Sequence, residues 1–314
     1  MGRRHNKPLG HVATGLIASG AIHALGFYTM RPDEFDLPTN GGALRISRWP
    51  GASGEASGKP VIAAHGITAN AFSFGSLADE LAGRVDLIAP DLRGRAASGK
   101  VGGPYGLATH ADDLVALMDH LGIGQATIVG HSMGAFVAVF AAVRHPQRVK
   151  SVLLVDGGVS FGPLPPDTDV DAVLEAVIGP AIRRLQMTFE TEQSYVDFWR
   201  AHPSLRDEWS PWLEAYALRD FDGNRSACNI EAIRADGHDI LVNEETNTAY
   251  KHLTCPAKML WAERGMLDEP TGLYNESNVP PALNPGKVNG VNHYTIVASR
   301  RGASAIAEQL LALL

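Results

Sequence analysis

Short apolar runs recur along the chain from Leu44 onward, each ending in glycine, aspartate or histidine and followed by a longer stretch of mixed character. Apolar runs of this length bounded by turn residues predict buried β-strands. Because strand and helix candidates alternate, the pattern predicts an α/β protein with a mostly parallel sheet. The clearest strand candidates are residues 60–64, 85–89, 126–129, 152–155 and 258–262.

Helical spacing appears between these strand candidates. The segment 135–143 is an apolar helix candidate directly after a predicted strand, and 302–314 is helical in character. A further helix is predicted by apolar residues spaced three or four apart, namely Leu114, Leu117, Met118 and Leu121.

The alternation stops after Val155 and resumes near Lys258, which leaves roughly 100 residues that a simple strand–helix connection does not need. This segment is rich in aromatic residues within helical stretches. We therefore predict a helical lid over 157–256, inserted after the sixth strand and suited to covering an apolar pocket. Most of its aromatic side chains are expected to form the lid's own core. The remaining divisions are an N-terminal arm at 1–43 and a core at 44–156 and 257–314.

Composition limits the classes of function. Hydrophobic residues make up 45% and charged residues 19%, as in a globular protein with a sizeable core. The net charge of −7 and the absence of a long Lys/Arg run predict no nucleic-acid partner. No apolar run approaches the roughly 20 residues of a membrane span, so no membrane partner is expected. The two cysteines, Cys228 and Cys255, are predicted to be free thiols.

The N-terminal segment has two interpretations. Three basic residues precede a mildly apolar run at 9–25, which imitates a signal peptide. His11, His23 and several glycines interrupt this run. We predict an arm packed on the domain of a cytoplasmic protein, with export as the alternative.

The sequence Gly130-His131-Ser132-Met133-Gly134 matches the G-x-S-x-G pattern. It lies between a predicted strand and a predicted apolar helix, and this context is what the pattern requires of a nucleophile on a tight turn. Glycines are needed there because neighbouring side chains would clash. We predict that Ser132 is a catalytic nucleophile.

Two backbone N–H groups are candidates for an oxyanion hole. His65-Gly66-Ile67 follows the first buried strand candidate, and Met133 follows the candidate nucleophile. Charge that develops on a tetrahedral intermediate must meet dipoles that are already oriented. We assign the donors to Ile67 and Met133, and we expect His65 to be structural and to orient the loop.

His293 is the candidate general base. It follows a short strand candidate at 287–291 and precedes the C-terminal helix, and no histidine lies after it. A neutral imidazole accepts the serine proton and returns it to the leaving group.

The carboxylate that would orient His293 is open at this point. The order Ser, Asp/Glu, His calls for an acid just beyond the strand candidate 258–262, but Gly265 occupies the expected place. Asp268 is the first choice if the loop is slightly long. Asp156, at the end of the strand candidate 152–155, and Glu263 are the alternatives.

These motifs, at residues 65–66, 91–94, 130–134 and 292–294, resemble the α/β-hydrolase family over nearly all of the chain from Leu44. The resemblance implies the α/β-hydrolase fold and a serine-hydrolase mechanism. More narrowly, the segments 156–158, 264–269 and 292–296 are similar to a bacterial group that includes monoalkyl phthalate hydrolases, which implies an esterase tendency. The departure at Gly265 affects only the acid.

The leading hypothesis is a carboxylic-ester hydrolase that works through an acyl-enzyme, with a monoalkyl phthalate or a similar monoester as substrate. Lactone hydrolysis or cleavage of a carbon–carbon bond in a diketone by the same residues is the alternative. Epoxide hydrolases and dehalogenases are disfavoured because those relatives attack with an aspartate where this chain has Ser132. A catalytically inactive binding protein is disfavoured because both Ser132 and His293 are retained.

A monoester substrate would need a cationic partner for its free carboxylate. Arg183, Arg184 and Arg200 in the predicted lid are candidates, because a guanidinium binds a carboxylate through two parallel hydrogen bonds. The alternative is that these arginines lie on solvated helix faces. No metal or organic cofactor is expected, since the scattered histidines lack metal-ligand spacing.

Overall fold

A computed structural model of the chain describes residues 31–52, 59–160, 162, 164–165 and 167–314. Residues 1–30, which include the run interpreted as a signal peptide or a packed arm, lie outside the described residues. Within the described part of the chain, no helix combines the length and apolar character needed to cross a bilayer.

An eight-stranded sheet forms the centre of the molecule. Its strands are β1 (Asp33–Thr39), β2 (Gly42–Trp49), β3 (Pro60–Ala64), β4 (Asp86–Pro90), β5 (Ala126–His131), β6 (Val149–Val155), β9 (Ala257–Ala262) and β10 (Gly286–Val288), while β7 (Phe221–Asp222) and β8 (Arg225–Ser226) form a separate hairpin. The strand order in the sheet is β1-β2-β4-β3-β5-β6-β9-β10. In this sheet β1 and β2 pair antiparallel, as do β2 and β4, and every other pairing is parallel. The mostly parallel sheet predicted from the sequence is therefore confirmed.

Helices connect the strands and cover the sheet. Those of the core are α1 (Gly75–Leu81), α2 (Leu107–His120), α3 (Met133–Arg144), α9 (Thr295–Ala298) and α10 (Arg300–Leu313). Five more, between β6 and β9, are α4 (Val170–Gln186), α5 (Glu192–Arg200), α6 (Pro211–Asp220), α7 (Ile230–Val242) and α8 (Glu244–Thr248).

The N-terminal boundary differs from the prediction. Residues 33–43 were assigned to an arm, yet they form β1, the turn at 40–41 and the first two residues of β2, with Asp33 opposite Arg48 and Thr39 opposite Gly42. The segment DEFDLPT has no continuous apolar run, because β1 is an edge strand with most of its side chains exposed. The sequence pattern that marks buried strands therefore misses it.

The central strands are buried because both faces of the sheet are covered. β3, β5 and β6 consist almost wholly of buried residues, which explains their continuous apolar sequences. α3 is likewise buried along most of its length. The carboxyl ends of the parallel strands, and the turns that follow them, lie at one edge of this core. Ligands bind at this edge in open α/β sheets.

Residues 157–256, between β6 and β9, are called the inserted segment below. Its aromatic residues pack against one another, as in the edge-to-face contact of Tyr195 with Trp199 at a centroid distance of 6.5 Å. Trp212 on α6 instead reaches the core, where its ring lies 5.9 Å from that of Phe72. Its indole N–H donates to Asp79 at 2.7 Å. That this segment acts as a lid stays a prediction.

Candidate active site

Ser132 lies on the tight turn between β5 and α3. Its backbone has φ 56° and ψ −121°, a conformation that costs energy for a residue other than glycine. Both motif glycines are required by packing. A Cβ on Gly134 would lie 1.9 Å from the Ala64 carbonyl oxygen, and one on Gly130 would lie 2.1 Å from the Gly134 carbonyl oxygen. The sequence therefore folds into the strand–turn–helix arrangement that exposes a serine at the sheet edge.

His293 and Asp156 form a buried pair. The Nδ1 atom of His293 lies 2.7 Å from Oδ2 of Asp156, and their side chains are 5% and 0% exposed. Because a carboxylate only accepts hydrogen bonds, Nδ1 carries the proton and donates. In the neutral form of this imidazole, the lone pair is therefore on Nε2.

The first-choice acid, Asp268, is not the partner of His293. Its Oδ1 accepts from Asn292 Nδ2 at 2.8 Å and from Arg264 Nε at 2.7 Å. The hydrogen bond from Asn292, followed by the contact with Arg264, holds the pKa of Asp268 below its ordinary value. Glu263 is also engaged elsewhere, with Lys287 Nζ at 2.9 Å and the Gly290 N–H at 2.8 Å. The geometry thus corrects the choice of partner from Asp268 to the alternative, Asp156.

Sheet pairing explains why Asp156 reaches His293. β6 and β9 are parallel neighbours, with Val155 opposite Leu260, so the residues that follow them share one edge. The Asp156 N–H donates to the Leu260 carbonyl at 2.7 Å, and its Oδ1 accepts from the Ala262 N–H at 2.9 Å. The aspartate is therefore held at both backbone and side chain, with Oδ2 directed to the imidazole.

His131 is a second histidine at this site that the sequence analysis did not single out. Its Nε2 lies 2.8 Å from the His293 carbonyl oxygen, so Nε2 is the protonated nitrogen. Burial, followed by the neighbouring His293, lowers the pKa of His131 well below 6.5. A neutral His131 anchors the backbone of His293. The only sequence signal was its place inside the G-x-S-x-G pattern.

The segment 65–67 lies against Ser132. A Cβ on Gly66 would be 3.3 Å from the Ser132 Cβ and 3.7 Å from its Oγ. His65 is buried, with Nδ1 2.8 Å from the Gly66 carbonyl oxygen and Nε2 accepting from the Leu92 N–H at 2.8 Å. Burial lowers the pKa of His65 to about 3, so it stays neutral. His65 orients the loop, as expected from the sequence.

A cavity of about 220 Å³ lies above Ser132. Ile67, Met133, Asp156 and His293 also border it, so the structure brings these candidate residues together. Its walls are otherwise mainly apolar and come from both the core and the inserted segment, including Phe72, Phe136, Leu174, Ile178, Trp212, Leu213, Ile240 and Val297.

The three candidate arginines have different surroundings. Arg183 and Arg200 are exposed and paired with Glu175 and Glu214, as expected for solvated helix faces. Arg184 is buried, and its Nη1 donates to Asp220 at 2.9 Å and to the Tyr195 hydroxyl at 2.7 Å.

Burial alone would lower the pKa of Arg184, but the neighbouring Tyr195 and Asp220 raise it above the ordinary value. Arg184 borders a second cavity, of about 380 Å³. This cavity shares several lining residues with the first, among them Thr68, Met266 and Tyr294.

Within the described residues, no group of three or more histidine, cysteine, aspartate or glutamate side chains is arranged to hold a metal ion. Arg95 is a further residue that the sequence analysis missed. It is fully buried against the 65–67 segment, and its signal was the two arginines, Arg93 and Arg95, in the loop after the buried strand β4.

Comparison with known proteins finds hydrolases among the relatives of this chain. The sequence profile of the alpha/beta hydrolase fold matches residues 59–261. The chain is 29% identical to 2-(acetamidomethylene)succinate hydrolase of Mesorhizobium japonicum, over 76% of this chain and 82% of that protein. It is 28% identical to N-formylmaleamate deformylase of Pseudomonas putida, over 75% of this chain and 82% of that protein.

The fold is also found among solved structures. The crystal structure of E-2-(acetamidomethylene)succinate hydrolase superposes with a TM-score of 0.70 and covers 89% of this chain and all of that one. The two sequences are 23% identical, so this likeness concerns the fold.

Proposed function

Because this chain is a hydrolase of the α/β-hydrolase fold family, we propose that it cleaves a carboxylic ester with an apolar acyl or alkyl group through an acyl-enzyme. Ser132 is the nucleophile, His293 the general base and Asp156 the residue that orients the imidazole. The observation that carries the proposal is the mainly apolar cavity that Ser132, His293 and Asp156 border together.

Each chemical step has a residue to perform it. His293 Nε2 takes the Ser132 proton while Oγ attacks the ester carbonyl carbon, and the carbonyl oxygen becomes an oxyanion. The N–H groups of Ile67 and Met133 are its proposed donors. Met133 begins α3, where the first N–H groups lack a carbonyl partner within the helix. The tetrahedral intermediate collapses to the acyl-enzyme, and the alcohol leaves with the proton from His293.

Hydrolysis of the acyl-enzyme repeats these roles. A water molecule gives its proton to His293 Nε2 as its oxygen attacks the acyl carbon. Collapse of the second intermediate returns the proton to Ser132 Oγ and releases the acid. In both halves, the Asp156 carboxylate stabilises the transient imidazolium, and between the proton transfers it fixes the tautomer of the neutral imidazole. The hydrogen bond from His131 to the His293 carbonyl holds the same residue from its backbone side.

The relatives support a hydrolytic reaction, but they do not agree on one substrate. They are named for a succinate and a maleamate, which are acids, whereas the cavity above Ser132 is lined mainly by apolar side chains. An uncharged ester fits that lining because, unlike a carboxylate, it buries no charge that would need a polar partner there. Lactones and diketones would use the same residues, and analysis of the products separates them from esters.

A monoester with a free carboxylate is the second candidate, and Arg184 favours it. Arg184 borders the cavity next to the catalytic one, and its buried Nη2 has no hydrogen-bond partner among the described residues. If it binds the carboxylate, Arg184→Met should raise KM for a monoalkyl phthalate far more than for the matching neutral diester. Equal changes in the two KM values would exclude this role.

A graded series of p-nitrophenyl esters, together with a monoalkyl phthalate, tests the main proposal. We expect hydrolysis of esters with medium-length acyl chains and labelling of Ser132 by a fluorophosphonate. Ser132→Ala should fold normally and lose several orders of magnitude in turnover, because no acyl-enzyme can form. A residual rate of roughly 10³ over water is compatible with the oxyanion hole alone. Near-normal turnover in the folded variant would refute the serine mechanism.

A further inference from the structure

We propose that Arg95 is a positioning residue for the oxyanion hole, and that its ion pair with Asp236 connects this hole to the inserted segment. The proposal rests on the proposed function, since it assumes that the N–H groups of Ile67 and Met133 receive the oxyanion. Arg95 follows Asp91-Leu92-Arg93-Gly94 on the loop after β4 and is fully buried.

One guanidinium contacts both proposed donor residues. Arg95 Nε donates to the Ile67 carbonyl at 2.9 Å, and Nη2 lies 3.6 Å from the Met133 sulfur. Nη1 donates to the Arg93 carbonyl at 2.7 Å, which fixes the side chain to its own loop. The planar fork of an arginine suits this arrangement, because its donors diverge from one rigid group. Arg95 thus bridges two segments that reach the site from different strands.

Two adjacent peptide groups around Ile67 are held at their carbonyl oxygens. His65 Nδ1 and the Ala69 N–H both contact the Gly66 carbonyl, at 2.8 Å and 3.1 Å. In a trans peptide, the Gly66 carbonyl and the Ile67 N–H point in opposite directions, so this contact orients the donor. Arg95 holds the next peptide group through the Ile67 carbonyl. The direction of the Ile67 N–H is therefore constrained from both sides.

Asp236 on α7 supplies the counter-charge. Its Oδ2 lies 2.5 Å from Arg95 Nη1 and 2.9 Å from His110 Nε2, and its Oδ1 accepts from the Gly106 N–H at 2.6 Å. Burial alone would raise the pKa of Asp236, but His110 and Arg95 hold it below the ordinary value. The carboxylate is therefore ionised and fully engaged.

The anchor comes from the wall of the catalytic cavity. Gly237, directly after Asp236, borders that cavity, and a Cβ placed on it would lie 3.6 Å from Ile67 Cδ1. α7 therefore packs on the same residue whose carbonyl Arg95 holds. Arg95 itself is not among the residues that border either of the two described cavities, so it acts on the substrate only through Ile67 and Met133.

Arg95→Met tests the proposal, and Arg93→Met is its matched control. Arg93 is on the same loop, is 2% exposed and is paired with Asp113 at 2.7 Å, but its side chain contacts Asn40 and Gly102, away from Ser132. If folding of Arg95→Met fails, the charge-neutral double variant Arg95→Met/Asp236→Asn replaces it. Arg95→Lys, which retains the charge but not the fork, is the conservative variant.

We expect Arg95→Met to lower kcat for a p-nitrophenyl ester by about 10- to 100-fold with little change in KM, since loss of a whole oxyanion donor costs about 10²- to 10³-fold. Binding of a trifluoromethyl ketone, whose adduct with Ser132 places an oxyanion in the hole, should weaken by a similar factor. For Arg95→Lys, kcat and the affinity for the ketone should lie between the values of the wild type and those of Arg95→Met. Arg93→Met should retain kcat per folded molecule.

Two results would overturn the proposal. One is an unchanged kcat and ketone affinity in folded Arg95→Met; the other is an equal loss in Arg93→Met, which would indicate a general effect of loop packing. Failure of the proposed function gives a different result, because the wild-type protein would then neither hydrolyse the ester nor react with the fluorophosphonate.

Discussion

Asp156 has a left-handed backbone, φ 49°, which aspartate adopts more readily than most residues with a Cβ. This conformation ends β6 and turns the chain, while both carboxylate oxygens are used, one by the Ala262 N–H and one by His293. Asp268 also has a positive φ, 68°, but its carboxylate is partly exposed and contacts Asn292, the residue before His293. The two aspartates therefore affect His293 by different routes.

Substitution of these aspartates separates the routes. Asp156→Asn should lower turnover by up to about 10⁴-fold, because an amide favours the wrong imidazole tautomer. Asp268→Asn should lower it much less, since Asn292 keeps its hydrogen bonds to the Ser204 carbonyl and to Thr295. Steady-state rates for the two variants, corrected for folded fraction, give the ranking. The opposite ranking would transfer the role to Asp268.

Because burial lowers the pKa of His65, we expect the protein to lose stability in acid. Its pKa is about 3 in the folded chain, against an ordinary value of 6.5. Between pH 3 and pH 6.5, the imidazole is therefore protonated in the unfolded chain but neutral in the folded chain. The contribution of His65 is therefore complete above pH 6.5 and is lost as the pH falls toward 3, at about 1.4 kcal/mol per pH unit.

His65→Asn should remove this part of the slope in the free energy of unfolding between pH 6 and pH 4, measured by urea titration. The variant keeps a donor for the Gly66 carbonyl, although it is less stable at neutral pH. His120→Asn, at an exposed position, is the control. A slope that is the same in wild type and His65→Asn would show that the imidazole is not kept neutral by burial.

At the scale of elements, the contact between β3, β5 and α3 is as close as backbone atoms allow. The position where a Cβ on Gly134 would stand is 1.9 Å from the Ala64 carbonyl oxygen and 2.7 Å from that of His65. Since these neighbours are backbone atoms, no side-chain rotation relieves the overlap. The helix and strand must separate if any larger residue is placed there.

Gly134→Ala should therefore lower the free energy of unfolding by about 3 kcal/mol or more, which is the upper end of the range of losses found when a packed core is overfilled. It should also reduce turnover in the folded fraction, because Ser132 moves with the start of α3. Gly124→Ala is the control, since nothing lies within 4 Å of its Cβ position. Chemical denaturation of both variants measures the difference. A loss as small in Gly134→Ala as in Gly124→Ala would contradict the close contact.

At the scale of the whole molecule, Arg219 joins three parts of the chain. From α6 in the inserted segment, its Nε donates to Asp91 at 2.9 Å and its Nη1 to Glu34 on β1 at 2.6 Å. Asp91 is fully buried and also accepts from the N–H groups of Ala71 and Ala97. The inserted segment is thus fixed to the core through a buried ion pair.

Removal of one partner from such a pair is costly. Arg219→Met should lower the free energy of unfolding by about 3–5 kcal/mol, because Asp91 is left buried without its counter-charge. Arg183→Met, which breaks an exposed pair with Glu175, should cost no more than about 1 kcal/mol. Urea unfolding of both variants provides the comparison. Equal small losses would mean that the inserted segment is not fixed to the core through Arg219.

The sequence by itself determined the class of fold and the turn that carries Ser132. Buried strands such as β3 are recognisable in the sequence because burial on both faces requires an unbroken apolar run. The predicted and observed bounds of β3 coincide at Pro60–Ala64. The turn is equally local, since Gly130 and Gly134 are required by contacts within a few residues and with one adjacent strand. The exposed edge strand β1 left no such signal.

Only the tertiary structure decided which carboxylate meets His293. Asp156 and His293 are 137 positions apart, and three acids near strand ends were compatible with the sequence. Parallel strands bring their carboxyl ends to one edge in the order of the sheet, and β6 lies beside β9 in that order. The contacts of Arg95 with Ile67, Met133 and Asp236 have the same origin. Proximity there is set by strand order and helix packing, which local periodicity does not encode.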